Sequence, residues 1–215
     1  MNKKNNDKVL NWHKSEDLSS LRDCLRQESI FLGSTDTILG LFAPATKNGL
    51  QLLDRLKGRQ EKPYLLLINS LNCIKNFIDS KNFFQIEKIA ELFFPGPLTI
   101  VVQAQKGTPE YLVSHNGTLA FRMPDHSGIQ ALLKEVPLIF STSINKTGKP
   151  AALKIEDIEQ DFLDEAHYIV LDELYDQGLS GNKPSTIIKI DAGNIELIRE
   201  GALSFEDVLS SIDKK

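Results

Sequence analysis

The stretch Ser29-Ile30-Phe31-Leu32-Gly33-Ser34-Thr35-Asp36-Thr37-Ile38-Leu39-Gly40-Leu41-Phe42 decides the fold class. Two apolar runs, 29–32 and 37–42, flank the polar turn Gly33-Ser34-Thr35-Asp36 and read as strands with no helix between them. Neighbouring strands joined this closely break the βαβ rhythm of a parallel sheet. The expectation is an α/β chain whose sheet is mixed, with helices packed on it.

Working outward, Leu18, Leu21, Cys24 and Leu25 recur at helical spacing and predict a helix over 16–27. Downstream, Leu50, Leu53, Asp54 and Lys57 lie on a helix that Gly58 ends, and 64–68 is an apolar strand. Ser70 caps an expected helix carrying Leu71, Ile74, Phe77 and Ile78. A helix over 85–93 stops at Pro95-Gly96-Pro97, and strands follow at 98–102 and 118–122. Then come a helix over 128–134, a buried strand at 137–140 running into Ser141-Thr142-Ser143, and a helix over 155–162. Strands at 168–171, 185–190 and 195–199 precede a last helix over 205–212. Ser204 caps it, with Asp207 where a capping box prefers Glu or Gln. No repeat, low-complexity tract or dividing linker interrupts the series. The expected organisation is one domain over 16–203, a polar N-terminal tail at 1–15 and a C-terminal helix and tail at 204–215.

The 215 residues suffice for one sizeable core. A net charge of −4 gives no general pull towards nucleic acid, so a polyanion must be held by a local cluster of cations. Cys24 and Cys73 sit in apolar-periodic stretches and read as reduced, buried thiols. The basic, polar start has no apolar signal-peptide region, and no apolar run approaches the ~18 residues of a membrane span. The expected location is the cytoplasm.

No P-loop, dinucleotide fingerprint, nucleophile elbow or zinc spacing occurs. What the chain has instead is a set of cations, hydroxyls and amides at element ends. Lys57-Gly58-Arg59 puts two cations around a turn, able to converge on one polyphosphate. The same pair also reads as a complement to the helix dipole. Ser143 and Asn145 are alternate residues at a strand's C-terminal end and can face one cavity, or can bond their own backbone in a turn. Arg122 ends a strand and can clamp a carboxylate, or pair with Asp125 at the surface. Ser185 begins a strand and Arg199 ends the next. Thr35-Asp36-Thr37 reads as a turn, with Thr35 its more interesting hydroxyl.

Taken in order, these segments resemble the YrdC-like family, the threonylcarbamoyl-AMP synthases. The opening P-T-[DE]-T-x-x-G-L pattern is matched by Ser34-Thr35-Asp36-Thr37-Ile38-Leu39-Gly40-Leu41. The K-x-R and K-P elements are matched by Lys57-Gly58-Arg59 and Lys62-Pro63, and W-P-G-P-[LV]-T by Phe94-Pro95-Gly96-Pro97-Leu98-Thr99. Ala120-Phe121-Arg122-Met123-Pro124-Asp125-His126 and Thr142-Ser143-Ile144-Asn145-Lys146-Thr147-Gly148 match the next two elements. Residues 184–188 and 198–202 match the last. The resemblance covers nearly the whole chain.

The resemblance implies an open, twisted, mixed sheet flanked by helices, with a central polar cationic cavity. It implies an activity that joins L-threonine, bicarbonate and ATP into threonylcarbamoyl-AMP and pyrophosphate, with Mg²⁺ entering through ATP and none held by the protein. The product would pass to a partner complex that modifies tRNA. By position, Lys57, Arg59, Thr118, Asn145 and Arg199 would hold ATP, and Thr35, Arg122, Ser143 and Ser185 would hold threonine. No side chain needs to act as a nucleophile.

The sequence departs from the pattern at several places. Ser34 replaces Pro and Leu39 replaces an aromatic, which implies a looser first turn. The loop after Arg59 is a residue shorter than in the family and lacks a Pro. Leu67 lies in an apolar strand where some relatives carry a polar residue, and Ile144 replaces a small Ala, which implies a crowded pocket. The chain ends soon after the last motif, short of the C-terminal domain of longer relatives. The alternative reading is a divergent, non-catalytic module of the same fold that binds structured RNA or a ribosomal particle.

Overall fold

Gly33 and Gly40 face each other across two antiparallel strands, β2 (Phe31–Gly33) and β3 (Gly40–Pro44), so the mixed sheet begins where the sequence placed it. The structure is a computed structural model and describes residues 8–58, 64–172 and 183–213. The other strands are β1 (Val9–Asn11), β4 (Leu65–Leu67), β5 (Leu98–Gln103), β6 (Thr118–Arg122), β7 (Ile139–Ser143), β8 (Tyr168–Leu171), β9 (Thr186–Asp191) and β10 (Asn194–Arg199). Together they form a ten-stranded sheet in the order β1-β8-β2-β3-β7-β4-β6-β5-β9-β10. The pairs β1/β8, β2/β8, β4/β6 and β5/β9 are parallel, and the rest are antiparallel.

Among the described residues six α-helices flank the sheet: α1 (Ser15–Arg26), α2 (Lys47–Lys57), α3 (Ser80–Phe93), α4 (Ser127–Glu135), α5 (Gln160–Glu165) and α6 (Phe205–Asp213). Local chemistry sets their ends. Thr46 Oγ1 accepts the Gly49 N–H to cap α2, and Gly58 ends that helix at φ 64°, a left-handed conformation that glycine adopts without steric cost. Asp79 caps α3, which therefore starts before the expected 85–93 window.

The two-residue alternation of the strands separates two faces. On one, Phe140, Leu66, Phe121, Ile100 and Ile188 sit side by side in register, all fully buried. This row is the floor of the main core, to which α2 adds Leu53, α3 adds Ile86 and Ile89, α5 adds Phe162 and α6 adds Val208. Each such side chain contributes about 1.5–3 kcal/mol on leaving water. The next residue along each strand faces the other way: Ser141, Leu65, Ala120, Val101 and Lys189 form the neighbouring row. Towards β8, α1 and α4 cover that second face with Leu21, Leu25, Ile129, Leu132 and Leu133, packed on Phe31, Phe42 and Val170. Beyond them the strands carry small and polar side chains, and a cavity opens there.

Three expectations are corrected. The helix from Ser70 is instead two short 3₁₀ turns, Leu71–Cys73 and Lys75–Phe77, because Ile78 leaves the helical path to bridge Ala104 at the sheet margin. The helix over 155–162 divides into a 3₁₀ turn (Ile155–Asp157) and α5, separated by extended Ile158, whose side chain is buried in the main core. The polar tail at 1–15 contains an edge strand, β1, and a fully buried Trp12 that meets Phe31 and Phe42 edge-on at 5.9 Å. A Cβ on Gly128 would lie 2.5 Å from Trp12 Cβ, so only glycine admits the indole there.

Candidate functional site

The cavity measures about 660 Å³ and is lined by strand ends and the loops that follow them. Of the nine predicted site residues, Thr35, Lys57, Thr118, Arg122, Ser143, Asn145, Ser185 and Arg199 all line it. Arg59 lies outside the described residues. The side chains come together because their strands are adjacent in the sheet and each supplies its alternate residues to the same face.

On one wall, the last turn of α2 is tied to the end of β7. Lys57 is buried, and its Nζ donates to the Ser143 carbonyl at 2.7 Å and to Asn145 Oδ1 at 2.8 Å. Ser143 Oγ donates to the same Oδ1 at 2.6 Å, and Asn145 Nδ2 donates to the Lys149 carbonyl at 2.6 Å. Thr147 closes the arrangement through its N–H and hydroxyl, both donated to the Lys57 carbonyl. Lys57 is therefore a buried member of the cavity wall, not a solvated cap on the helix dipole.

On the opposite wall, Arg122 is buried and its guanidinium is held on three sides. Nε donates to the Gly96 carbonyl and Nη1 to Thr37 Oγ1, each at 3.0 Å, while Nη2 forms an ion pair with Asp36. The surface pairing with Asp125 does not occur; the Asp125 backbone N–H donates to Asp36 Oδ2 at 3.0 Å instead. Thr35 Oγ1 donates to the Ile38 carbonyl at 2.6 Å and lies 3.0 Å from Thr37 Oγ1.

The third wall joins β5, β9 and β10. Thr99 and Ser185 share a hydrogen bond of 2.8 Å, and Arg199 Nη2 donates to the Ser185 carbonyl at 2.8 Å. Thr186 Oγ1 accepts the Gly201 and Leu203 N–H groups, each at 3.0 Å, and so pins the chain that carries Arg199. Partial desolvation, then repulsion from Arg122, holds the Arg199 pKa below its ordinary value. Arginine stays charged even so, and two guanidiniums that repel across a cavity are stabilised by an anion between them. Thr118 is half-buried, its hydroxyl 2.8 Å from Ser114 Oγ.

The described lining holds three cations, Lys57, Arg122 and Arg199, against a single carboxylate, Asp36, which already serves Arg122. Leu65, Leu67 and Ile129 give an apolar patch beside Arg122. Such a site suits a polyanion together with a small zwitterion that has an apolar part. Among the described residues no group of three or more His, Cys, Asp or Glu side chains can hold a metal ion. No helix among them is long and apolar enough to cross a membrane.

Two expected departures resolve differently from their sequence reading. Ile144 does not crowd the pocket; it is buried in the main core on the opposite face, as its place between the alternate residues Ser143 and Asn145 requires. Ser34 is buried and does not loosen the turn, because its hydroxyl donates to Asp172 Oδ1 at 3.3 Å. Asp172 Oδ2 lies 2.9 Å from His126 Nε2, and His126 Nδ1 accepts the Ile129 N–H at 3.3 Å, capping α4. Burial depresses the His126 pKa against the opposing pull of Asp172 and Asp36, so the ring is neutral with its hydrogen on Nε2. Sequence reasoning gave no role to Thr37, Thr99, Thr186, His126 or Asp172. All but Asp172 stand inside or beside the quoted motifs; Asp172 reaches Ser34 from 138 residues away, through topology alone.

Residues 23–201 match the family model described as Telomere recombination, the Sua5/YciO/YrdC domain. The threonylcarbamoyl-AMP synthase of Pseudoalteromonas translucida is 30% identical over 182 residues, covering 82% of this chain and 93% of that protein. The threonylcarbamoyl-AMP synthase of Sodalis glossinidius is 31% identical over 193 residues, covering 87% and 97%. Among solved structures, P. abyssi Sua5 complexed with L-threonine superposes with a TM-score of 0.81 at 23% identity, over 95% of this chain. The chain spans 60% of the length of that Sua5. E. coli YciO superposes with a TM-score of 0.73 at 19% identity, over 92% of this chain and 95% of its own.

Proposed function

Because the chain belongs to the Sua5/YciO/YrdC family, we propose that it is an L-threonylcarbamoyladenylate synthase, a nucleotidyltransferase acting in the cytoplasm. The observation that carries this reading is the convergence of Lys57, Arg122 and Arg199 with four hydroxyls and an amide on one cavity. Threonine's amine condenses with bicarbonate to a carbamate, releasing water. A carbamate oxygen then attacks the α-phosphorus of ATP, and the bond to pyrophosphate breaks. The reaction needs two anions held in line and their charge neutralised, which positioned cations and dipoles supply.

In this reading Lys57, Thr118, Asn145 and Arg199, with Arg59, hold ATP, while Thr35, Arg122, Ser143 and Ser185 hold threonine. The two sets share walls: Ser143 bonds Asn145, and Ser185 bonds Arg199. Filling one half therefore orders side chains of the other. Any Mg²⁺ would enter as part of the substrate, bound to the triphosphate. The product, a reactive mixed anhydride, passes to a partner that modifies tRNA. An RNA-binding module draws less support, since the rim lysines Lys146 and Lys149 are paired with Asp161 and Glu159.

Incubation with ATP, threonine and bicarbonate should release pyrophosphate only when all three are present. Release that ignores threonine, or no release, overturns the reading. Calorimetric titration of ATP should tighten when threonine is added.

A further inference from the structure

We propose that His126 and Asp172 are positioning residues for the amino-acid half of the cavity, acting through Ser34 on the turn that carries Thr35, Asp36 and Thr37. The inference rests on the synthase reading for the identity of the ligand. Neither residue lines the cavity, and both are buried, at 6% and 3% exposure. A carboxylate is costly to bury unless donors surround it. Here His126 Nε2 approaches one oxygen to 2.9 Å and the Ser34 hydroxyl donates to the other at 3.3 Å.

The geometry fixes Ser34 from every side. Its N–H donates to the Val170 carbonyl at 3.0 Å, its carbonyl accepts Trp12 Nε1–H at 3.2 Å, and its hydroxyl is held by Asp172. One residue further on is Thr35, and two further is Asp36, whose Oδ2 accepts the Asp125 N–H. The loop before α4 thus grips this turn twice: directly from Asp125, and through His126 and Asp172. Asp36 and Thr37 in turn hold two of the three fixed contacts of the Arg122 guanidinium. A turn released at Ser34 would let the carboxylate clamp drift, while the wall formed by Lys57 and Asn145 would stay in place.

His126 has two separable contacts, and two substitutions part them. His126→Gln offers an N–H near the position of Nε2 and keeps the contact with Asp172. His126→Asn offers an acceptor near Nδ1, keeps the cap on α4, and falls short of Asp172. Ser34→Ala, a small change that folds readily, removes the other donor. Threonine and ATP dissociation constants are measured by calorimetry on the full chain, alongside the threonine KM for pyrophosphate release.

His126→Asn and Ser34→Ala are expected to weaken threonine about tenfold with ATP affinity within about twofold of the parent. His126→Gln is expected to restore threonine affinity. Threonine binding unchanged in both His126→Asn and Ser34→Ala overturns the inference, as does equal loss of threonine and ATP, or a His126→Gln variant no better than His126→Asn. A parent chain that binds no threonine overturns the functional reading, and the inference with it.

Discussion

Replacing Asp36 by Asn leaves the Arg122 guanidinium charged, buried and facing an amide. The carboxylate and guanidinium are 11% and 5% exposed, so water screens them little. At an effective dielectric constant of about 20, unit charges roughly 4 Å apart attract by about 4 kcal/mol. Relief of the desolvation of Asp36 returns part of this, and an expected net loss of about 3 kcal/mol remains. For a chain of this size each kcal/mol moves Tm by about 2–4 °C, so Asp36→Asn should lower Tm by about 6–12 °C. Scanning calorimetry at pH 7 measures it. The decisive variant is the double, Asp36→Asn with Arg122→Met. Removing both charges leaves no stranded ion, so the double should melt above the Asp36→Asn single. A double that melts at or below the single, or a coupling energy under about 0.5 kcal/mol, refutes the argument that this buried pair carries the cost.

Other outcomes follow from single contacts. Lys57→Met should weaken ATP at least tenfold while threonine loses far less, read by calorimetric titration, because the ammonium sits on the wall with Asn145. Thr99→Val removes the buried hydroxyl partner of Ser185 and should cost about 1 kcal/mol, with Thr99→Ser restoring it in thermal unfolding. His126 is held neutral below its ordinary pKa of 6.5 by burial, against Asp172 and Asp36 and aided by His13, so the unfolded chain takes up its proton first as pH falls. Stability from this group is present above about pH 6.5 and declines as pH drops towards the lower folded pKa, by up to about 1.4 kcal/mol per pH unit. The difference in Tm between parent and His126→Gln should show that slope from pH 7 to 5. Burial pushes the Cys24 thiol up to about 12, whereas Cys73 is half-buried. A thiol reagent at pH 8 should therefore label Cys73 quickly and Cys24 only on unfolding, and two fast thiols would contradict the packing.

The strands and their alternate residues were legible because the signals are local: Gly33 and Gly40 bound a turn, and Ser143 and Asn145 stand two apart on one strand end. Seven of the eight residues found in the cavity followed from such element-end positions, and Thr118 came only with the family resemblance. The misreadings share a different cause. Ile144 was judged by its neighbours in sequence, though alternation sends it to the opposite face. Arg122 was offered Asp125 because it is near in sequence, yet Asp36, on the turn between β2 and β3, takes the ion pair. Val9 to Asn11 looked like a polar tail because a three-residue edge strand carries no periodicity; its partner is supplied by residues 169–171. Asp172 had no local signature at all. Each of these depends on which segments the sheet order brings together, information that no window of residues contains.

The parallel pairing of β1 with β8 joins Val9 to Ile169 across most of the chain. Closing so long a loop is entropically slow, and during synthesis it must wait until the second partner has left the ribosome. Trp12, the chain's only tryptophan, follows β1 directly and ends up between Phe31, Phe42 and His126. Its fluorescence is thus a built-in clock for the strand pairing of longest sequence separation. In refolding, the indole signal should lag behind the far-ultraviolet signal of the helices, and in native-state exchange the amides of β1 should open before those of β4 and β7.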